Sequence, residues 1–563
     1  MASLSLFGPK EPSLITPTLI LNETVVPPED GRIYGIHTAT QEWLKAYVRH
    51  LQPREIFFRS QNMEQDRIIA ELAAANATPI TLKKSQSAND IPHCAVYIQL
   101  PDANHFWMRQ WQSSRLYSIC GLNHSLSGQH IYDQLRNIFL APTEAWDALI
   151  CSSRAAHNVI SAHIENWSEY LASRSPSAKV DLRPPLRLPI IPMGANTAFW
   201  AKKDSTVALG QKLRAQLNIG PNDVAVLFLG RLNFSSKAHP FPMLQALQEA
   251  QTLSGTKLHL LQAGWYPSPE IEDAMRALTA ELAPGIQIHK LAATNDTERL
   301  SAYAAADIFV SLADNIQESF GLTLVEAMAC GLPVVASDWD GYRDTITNGE
   351  TGFLIPTLIA PPESGADIGL AHGLGTRTYN RYLMDVAQAT AVSVNAARDA
   401  LIKLITDRDL RQRMGEAGRK RASEQFDWGV IVKAHQDLWE ELEICRRAAP
   451  PSVPTKRNPN HPDPFTLFQN FATSGLQLDT PLSLTTGWNA YLGASMRSLT
   501  MRTRQDWVAN DASLTTMLRY LQTRPGLTVA SLMDLAKVDY VIGLRSIMWL
   551  IKASVIQPGL NGF

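Results

Sequence analysis

At 563 residues the chain is several times longer than one ordinary domain, so two or three hydrophobic cores with a deep cleft between them are expected. An apolar content of 45%, a charged content of 18% and a formal net charge of -2 describe an ordinary soluble globular chain, and they exclude a global electrostatic drive toward nucleic acid or anionic membrane. The five cysteines are scattered, odd in number and free of any C-x-x-C pair, which argues against a disulfide framework or a zinc site and points to a reducing cytoplasm.

The first 190 residues alternate short apolar runs with amphipathic stretches, a βα pattern. Strands are predicted at Leu19 to Val26, Glu55 to Arg59 and Leu116 to Leu122, and helices at Thr40 to His50 and Gln65 to Ala75. Leu186 to Pro192 reads as a final strand, and Met193-Gly194-Ala195-Asn196 as a turn leading out of this first domain, residues 1–198. A second series covers residues 199–448, with strands at Val224 to Gly230, Lys257 to Ala263, Ile286 to Lys290, Ile308 to Ser311 and Pro333 to Ser337. Helices fall between them at Met243 to Thr252 and Glu270 to Leu282. Residues 357–380 read as an insertion or long loop. Helical pattern returns at Tyr379 to Asp407 and at Phe426 to Arg447, the last helix packing back on the first domain. Six prolines between Pro450 and Pro464 mark residues 449–464 as a linker. Beyond it, residues 465–563 form a small, mainly helical module of winged-helix type, with helices at Ser513 to Gln522, Thr528 to Ala536 and Gly543 to Ala553. No sustained apolar run opens the chain and none approaches eighteen residues, so neither a standard export signal nor a membrane-spanning helix is expected, while peripheral membrane contact stays open.

Residues 318 to 337 compress a loop, a short helix, a glycine stop and a buried strand into one stretch. Glu318 and Glu326 flank the helix start. Unpaired backbone N–H groups and a partial positive charge gather at such a start, so Ser319, Phe320, Gly321 and Leu322 lie where a diphosphate would dock. The two carboxylates then address hydroxyls on either side, the polarity of a nucleotide sugar. An acid near a helix start is also ordinary dipole compensation. Gly321 allows close backbone approach, Gly331 ends the helix and Pro333 opens a strand of β-branched residues, and together they favour the functional reading.

Other polar residues leave predicted strands at the crevice. Arg231, after the strand Val224 to Gly230, and Lys237 can neutralise a diphosphate as its bond to a sugar breaks; the alternative is a solvated loop pair. His124 sits in Gly-Leu-Asn-His-Ser-Leu-Ser after a first-domain strand. Gly35, His37 and Thr38 belong to a loop before the first helix, with His37 either an acceptor contact or a surface residue, and Thr38 or Thr40 a helix cap.

The stretch from Glu318 to Glu326 resembles the E-x7-E motif of retaining glycosyltransferases of family 4, and Gly230 to Lys237 resembles that family's G-R-L-x-x-x-K loop with one extra residue. The likeness extends over about residues 30–445. It implies the GT-B architecture: an α/β fold of two Rossmann-like domains facing across a cleft, here with the C-terminal module appended. It implies transfer of a sugar, with retention and without a metal, from a nucleotide-diphosphate donor to a hydroxyl acceptor, no other cofactor being needed. By the same resemblance Glu318 holds the donor sugar, Glu326 the ribose, Arg231 with Lys237 the diphosphate, and His124 meets the donor sugar; Gly35, His37 and Thr38 approach donor or acceptor. Asp338 to Asp344 matches a further loop of the family in part, and Asp147 to Arg154 looks like the strand before a long first-domain helix. A sugar phosphorylase, a nucleotide-sugar hydrolase or a non-catalytic scaffold are the rival expectations. From residue 451 onward ten Lys or Arg face six Asp or Glu, a modest excess, so the module is expected to contact protein, itself or the catalytic domains rather than nucleic acid.

Overall fold

The computed structural model describes residues 15–26, 35–97, 99–174, 183–451, 458–490, 492 and 508–560. The chain divides into two compact units, Met1–Lys456 and Arg457–Phe563.

The first unit holds two six-stranded parallel sheets. One contains β1 (Thr18–Ile20), β2 (Glu55–Arg59), β3 (Thr81–Lys84), β4 (Cys94–Tyr97), β5 (Ser118–Leu122) and β6 (Ala148–Ile150), in the order β3-β2-β1-β4-β5-β6. The other contains β7 (Val224–Leu229), β8 (Leu258–Ala263), β9 (Gln287–Leu291), β10 (Ile308–Ser311), β11 (Val334–Ser337) and β12 (Gly352–Ile355), in the order β9-β8-β7-β10-β11-β12. Both are the doubly wound order, so the expected pair of Rossmann-like domains is the observed fold. Covered on both faces by helices, the central strands read as unbroken apolar runs: Val-Ala-Val-Leu-Phe-Leu of β7 and Val-Val-Ala-Ser of β11 are buried throughout. Edge strands β3 and β9 carry lysines and glutamine instead. Under the first sheet a fully buried Arg109 donates to both oxygens of Asp147, at 2.5 and 2.8 Å, and to the Tyr117 carbonyl at 3.0 Å, tying a helix to β5 and β6.

The helix Trp428–Ala448 belongs in sequence to the second domain but packs on the first. Trp428, Ile431, Val432, Trp439 and Leu442 share a core with Trp43, Tyr47 and Val96, and Arg446 donates to the carbonyl of Arg115 at 2.6 Å. The helix thus straps the second domain to the first.

Several expectations need correction. The strand predicted at Leu19 to Val26 is only Thr18–Ile20; the chain then turns into a 3-10 helix, Glu23–Val25, capped by Asn22. The first helix begins at Gly35 rather than Thr40, so Gly35, His37 and Thr38 lie in its opening turn, not in a loop, and neither Thr38 nor Thr40 is its cap. Leu186 to Pro192 makes only isolated bridges, Arg187 to Ala148 and Ile190 to Cys151. Residues 357–380 are not an open loop: β13 (Thr357–Ile359) runs antiparallel to β14 (Thr390–Val392), with helices Ala366–Gly373 and Tyr379–Gln388 between them. The helical run predicted from Tyr379 to Asp407 is accordingly broken by β14 before Val394–Thr406. Part of the proline-rich stretch, residues 452–457, lies outside the described residues.

The second unit contains helices Asp511–Thr523, Val529–Ala536 and Tyr540–Lys552, N-capped by Asn510, Thr528 and Asp539. An antiparallel pair, β15 (Leu482–Leu484) with β16 (Ile556–Pro558), closes on them around Leu514, Met517, Leu532 and Ile547.

Candidate active site

In a doubly wound sheet the ligand crevice lies beyond the carboxyl ends of the two strands where the order reverses. In the second sheet those strands are β7 and β10. Arg231 leaves β7 and Glu318 follows β10, so topology alone brings them to one crevice. The extra residue in the loop after β7 is absorbed by a turn: Asn233 Oδ1 accepts from the Ser235 N–H at 3.0 Å and the Lys237 N–H reaches the Asn233 carbonyl at 3.1 Å. Lys237 still closes on the site, where its Nζ pairs with Glu318 Oε2. Asn315 Nδ2 donates to the Ser235 carbonyl at 3.0 Å and stitches the two loops together. Arg231 is held by the side chain of Gln317.

The helix Leu322–Ala329 starts where the sequence placed it, with Gly321 as its N-cap at φ +86°. That left-handed conformation favours glycine, and a Cβ there would also strike the Tyr342 ring. Tyr342 Oη in turn stands 3.3 Å from Glu318 and 2.8 Å from Ser311 Oγ. Burial raises the Glu318 carboxyl, but Lys237, Tyr342 and Arg231 outweigh it and hold the group below the usual glutamate range. Nearby Asp340 goes the other way: burial and then the charge of Glu318 push it up to about 8.

Glu326 stands differently from Glu318. It is 6% exposed, and its carboxylate is shared between Arg299 and Tyr303, the latter at 2.8 Å, one turn apart on the helix Asp296–Ala305. Sequence reading missed both partners, although Arg299 and Tyr303 at i, i+4 on a helix preceding β10 is the pattern that would have found them.

The first domain closes the other side. Ser319 Oγ donates to the His124 carbonyl, and Ser152 Oγ to the Ser319 carbonyl at 3.5 Å. Asp344 accepts from the Arg154 N–H at 2.7 Å and from its guanidinium at 2.5 Å, placing a second-domain carboxylate at the start of the helix Arg154–Arg174.

Between the domains is a cavity of about 680 Å³, of the size that holds a small-molecule ligand. From the second domain Arg231, Lys237, Gln317, Ser319, Phe320, Gly321, Leu322 and Thr323 line it; from the first, Gly35, Ile36, Gln99, Leu100, Asn123 and His124. His372 and Tyr379 complete the wall from the excursion between β12 and the helix Val394–Thr406. Of the residues singled out in the sequence, Gly35, His124, Arg231, Lys237, Ser319, Phe320, Gly321 and Leu322 therefore meet at one cavity. Glu318 and Glu326 are not among the lining residues: Glu318 pairs with Lys237, which is, and Glu326 pairs with Arg299 and Tyr303, which are not. His37 and Thr38 are not among the lining residues; His37 Nδ1 lies 3.1 and 3.0 Å from the carbonyls of Thr24 and Val26. Among the described residues no group of three or more His, Cys, Asp or Glu is disposed to hold a metal ion, and no helix is long and apolar enough to cross a membrane.

Residues 211–360 match the glycosyl transferases group 1 family. This span covers β7 to β12, including Arg231, Lys237, Glu318 and Glu326. A phosphatidyl-myo-inositol mannosyltransferase of Mycobacterium tuberculosis is 30% identical over 218 residues, 38% of this chain and 47% of that protein. An alpha-maltose-1-phosphate synthase of the same species is 27% identical over 234 residues, 40% of this chain and 50% of that protein. The chain thus spans about half the length of the curated relatives it matches. Among solved structures, a sucrose-phosphate synthase from Thermosynechococcus elongatus aligns over 77% of this chain and 100% of its own, at 18% identity and a TM-score of 0.43.

Proposed function

We propose that this chain is a glycosyltransferase that moves a sugar from a nucleotide-diphosphate donor to a hydroxyl acceptor, with retention and without a metal. The observation that carries the reading is the convergence of Arg231, Lys237 and the helix start at Gly321 on one interdomain cavity. That set supplies a planar fork, a mobile cation and unpaired backbone N–H groups, the requirements for a diphosphate whose charge grows as the glycosidic bond breaks. The matched relatives, a mannosyltransferase and a maltose-1-phosphate synthase, support the same class.

In this reading the arriving diphosphate takes the Lys237 ammonium from Glu318, and Glu318, kept ionised by its surroundings, accepts a hydroxyl of the transferred sugar. Glu326 uses the lone pairs left by Arg299 and Tyr303 for the ribose. His124 approaches the sugar from the first domain, and Gly35 borders the acceptor side. Front-side departure leaves the diphosphate to receive the acceptor's proton, so the protein's work is positioning and charge stabilisation. The five free cysteines agree with a reducing cytoplasmic setting. The unit Arg457–Phe563 is assigned to protein contact rather than to nucleic acid.

The test is a thermal-shift screen of UDP, GDP and ADP followed by transfer assays. One nucleotide raises Tm. Arg231→Ala and Glu318→Gln then lower transfer by about 10²-fold or more, and EDTA leaves the rate unchanged. Wild-type transfer by both variants overturns the assignment. Turnover that needs inorganic phosphate, or that proceeds with no acceptor, establishes a phosphorylase or a hydrolase instead.

A further inference from the structure

The wall of the cavity carries a chain of hydrogen bonds that crosses from one domain to the other. Arg231 Nη2 donates to Gln317 Oε1, Gln317 Nε2 stands 3.3 Å from Tyr379 Oη, and Tyr379 Oη stands 2.7 Å from Ser127 Oγ of the first domain. Arg231, Gln317 and Tyr379 all line the cavity. Donor chemistry sets the direction of the chain. A guanidinium only donates, so the atom of Gln317 that meets Arg231 is its carbonyl oxygen. The amide nitrogen then faces Tyr379 and donates to it, and the phenol passes its one hydrogen to Ser127. One arrangement satisfies every member, and it ends on a residue of the other domain.

The two ends are held differently. Gln317 is fixed from behind: its N–H donates to Asn315 Oδ1 at 3.0 Å, and Asn315, fully buried, donates to the Ser235 carbonyl at 3.0 Å and accepts from Trp339 Nε1 at 3.2 Å. Tyr379 opens the helix Tyr379–Gln388 of the excursion, N-capped by Thr378. One turn on, Tyr382 shares a side-chain hydrogen bond with Tyr132 of the first domain and stacks on His372, with centroids 4.0 Å apart and planes 6° apart. The excursion therefore clasps the start of the helix Gln129–Phe139 at two points, Ser127 just before it and Tyr132 in its first turn.

A guanidinium grips a phosphate by presenting its planar fork at a set angle, and a misplaced group loses much of its effect. Gln317 holds the fork by one end, Tyr379 holds Gln317, and Ser127 holds Tyr379. We infer that Tyr379 is a positioning residue: through Gln317 it sets the guanidinium of Arg231, and through Ser127 it makes that setting depend on the first domain, so that a diphosphate is gripped fully only while the two domains are clasped. This rests on the reading of Arg231 as a partner of the diphosphate.

Tyr379→Phe removes only the hydroxyl. Calorimetry on the full chain with UDP, GDP and ADP is expected to show at least a fivefold loss of affinity for the nucleotide that the wild type binds. Ser127→Ala, which leaves the second domain untouched, is expected to give a loss of the same size, and Ser127→Thr, which keeps a hydroxyl, to stay within twofold of the wild type. A purely structural clasp would weaken binding whatever residue stands at 231, whereas a positioning residue acts through Arg231. Adding Tyr379→Phe to Arg231→Ala is therefore expected to change affinity by less than twofold. Affinity within twofold of the wild type for Tyr379→Phe, or a fivefold loss on adding it to Arg231→Ala, overturns the assignment. A loss in Tyr379→Phe that Ser127→Ala does not share overturns the dependence on the first domain. Inorganic pyrophosphate is the second probe. If the wild type binds pyrophosphate but no nucleotide, the nucleotide-donor reading fails, and a fivefold weaker pyrophosphate affinity in Tyr379→Phe sustains the positioning role. A wild type that binds neither overturns both.

Discussion

Asp340 shows how tightly the charges of the site are bound to its geometry. It adopts φ +45°, packs beside Glu318, and receives Ser153 Oγ from the first domain at 3.4 Å. Burial first, and the Glu318 charge second, raise its pKa to about 8 while Glu318 itself is held low. Like charges in one pocket separate in this way because only one can be ionised cheaply. The sign of the stability effect follows. A carboxyl raised in the folded state holds its proton there after the unfolded chain has lost it, so its contribution is full below the ordinary aspartate value and is lost as pH rises toward 8. Asp340→Asn removes that loss. The Tm difference between Asp340→Asn and the wild type is therefore expected to grow in favour of the variant by several degrees between pH 5 and pH 9. A difference constant across that range would refute the shift. Glu326 requires another substitution logic: truncation to alanine strands Arg299 in a buried site, at a cost of about 3–5 kcal/mol, so lost activity in Glu326→Ala measures folding before it measures ribose binding.

At the scale of elements, the helix Leu322–Ala329 depends on Gly321 twice, through its left-handed φ and through the contact its missing Cβ leaves to Tyr342. Gly321→Ala is expected to cost about 1–3 kcal/mol in backbone strain and to displace Tyr342 from Glu318. Calorimetry would read a lowered Tm together with a loss of nucleotide affinity of at least tenfold; a full-affinity variant would show that the helix start does not carry the diphosphate. This element was legible in the sequence because a loop, an apolar eight-residue helix, a glycine and a β-branched strand follow one another without interruption. The same holds for β7 and β10, whose burial on both faces leaves apolar runs. The excursion from Thr357 to Val392 was not legible. Its strands are three residues long and pair with each other, and its helices are short and separated by residues 374–378, so no period is sustained long enough to see. The helix start at Gly35 was missed because Gly-Ile-His-Thr-Ala-Thr is a weak helix former by propensity; packing of Ala39, Trp43 and Tyr47 decides it. Roles that depend on partners far along the chain, such as Tyr379 on Ser127 252 residues away, leave no local mark at all.

At the scale of the whole first unit, the helix Trp428–Ala448 carries the end of the second domain onto the first domain's core, and its weak point is His435. This imidazole is buried between Trp43, at a centroid distance of 5.8 Å, and Trp439, at 5.9 Å, with Nδ1 2.8 Å from the Ile431 carbonyl and Nε2 unpartnered among the described residues. Burial drives its pKa down to about 4. The unfolded chain protonates an ordinary histidine near pH 6.5 while the folded helix refuses the proton, so this contribution is intact above that value and is lost as pH falls toward 4. A shift of this size corresponds to roughly 3 kcal/mol at most, and it acts at the contact that holds the second domain's last helix on the first domain's core. His435→Phe retains the aromatic packing and has nothing to protonate. It is expected to match the wild type at pH 7.5 and to exceed its Tm increasingly from pH 6.5 to pH 4.5, with the largest gain at the lowest pH. Equal pH profiles for the two proteins would mean that the strap opens by another route, because an imidazole that protonates freely in the folded state cannot be sealed between those two indoles.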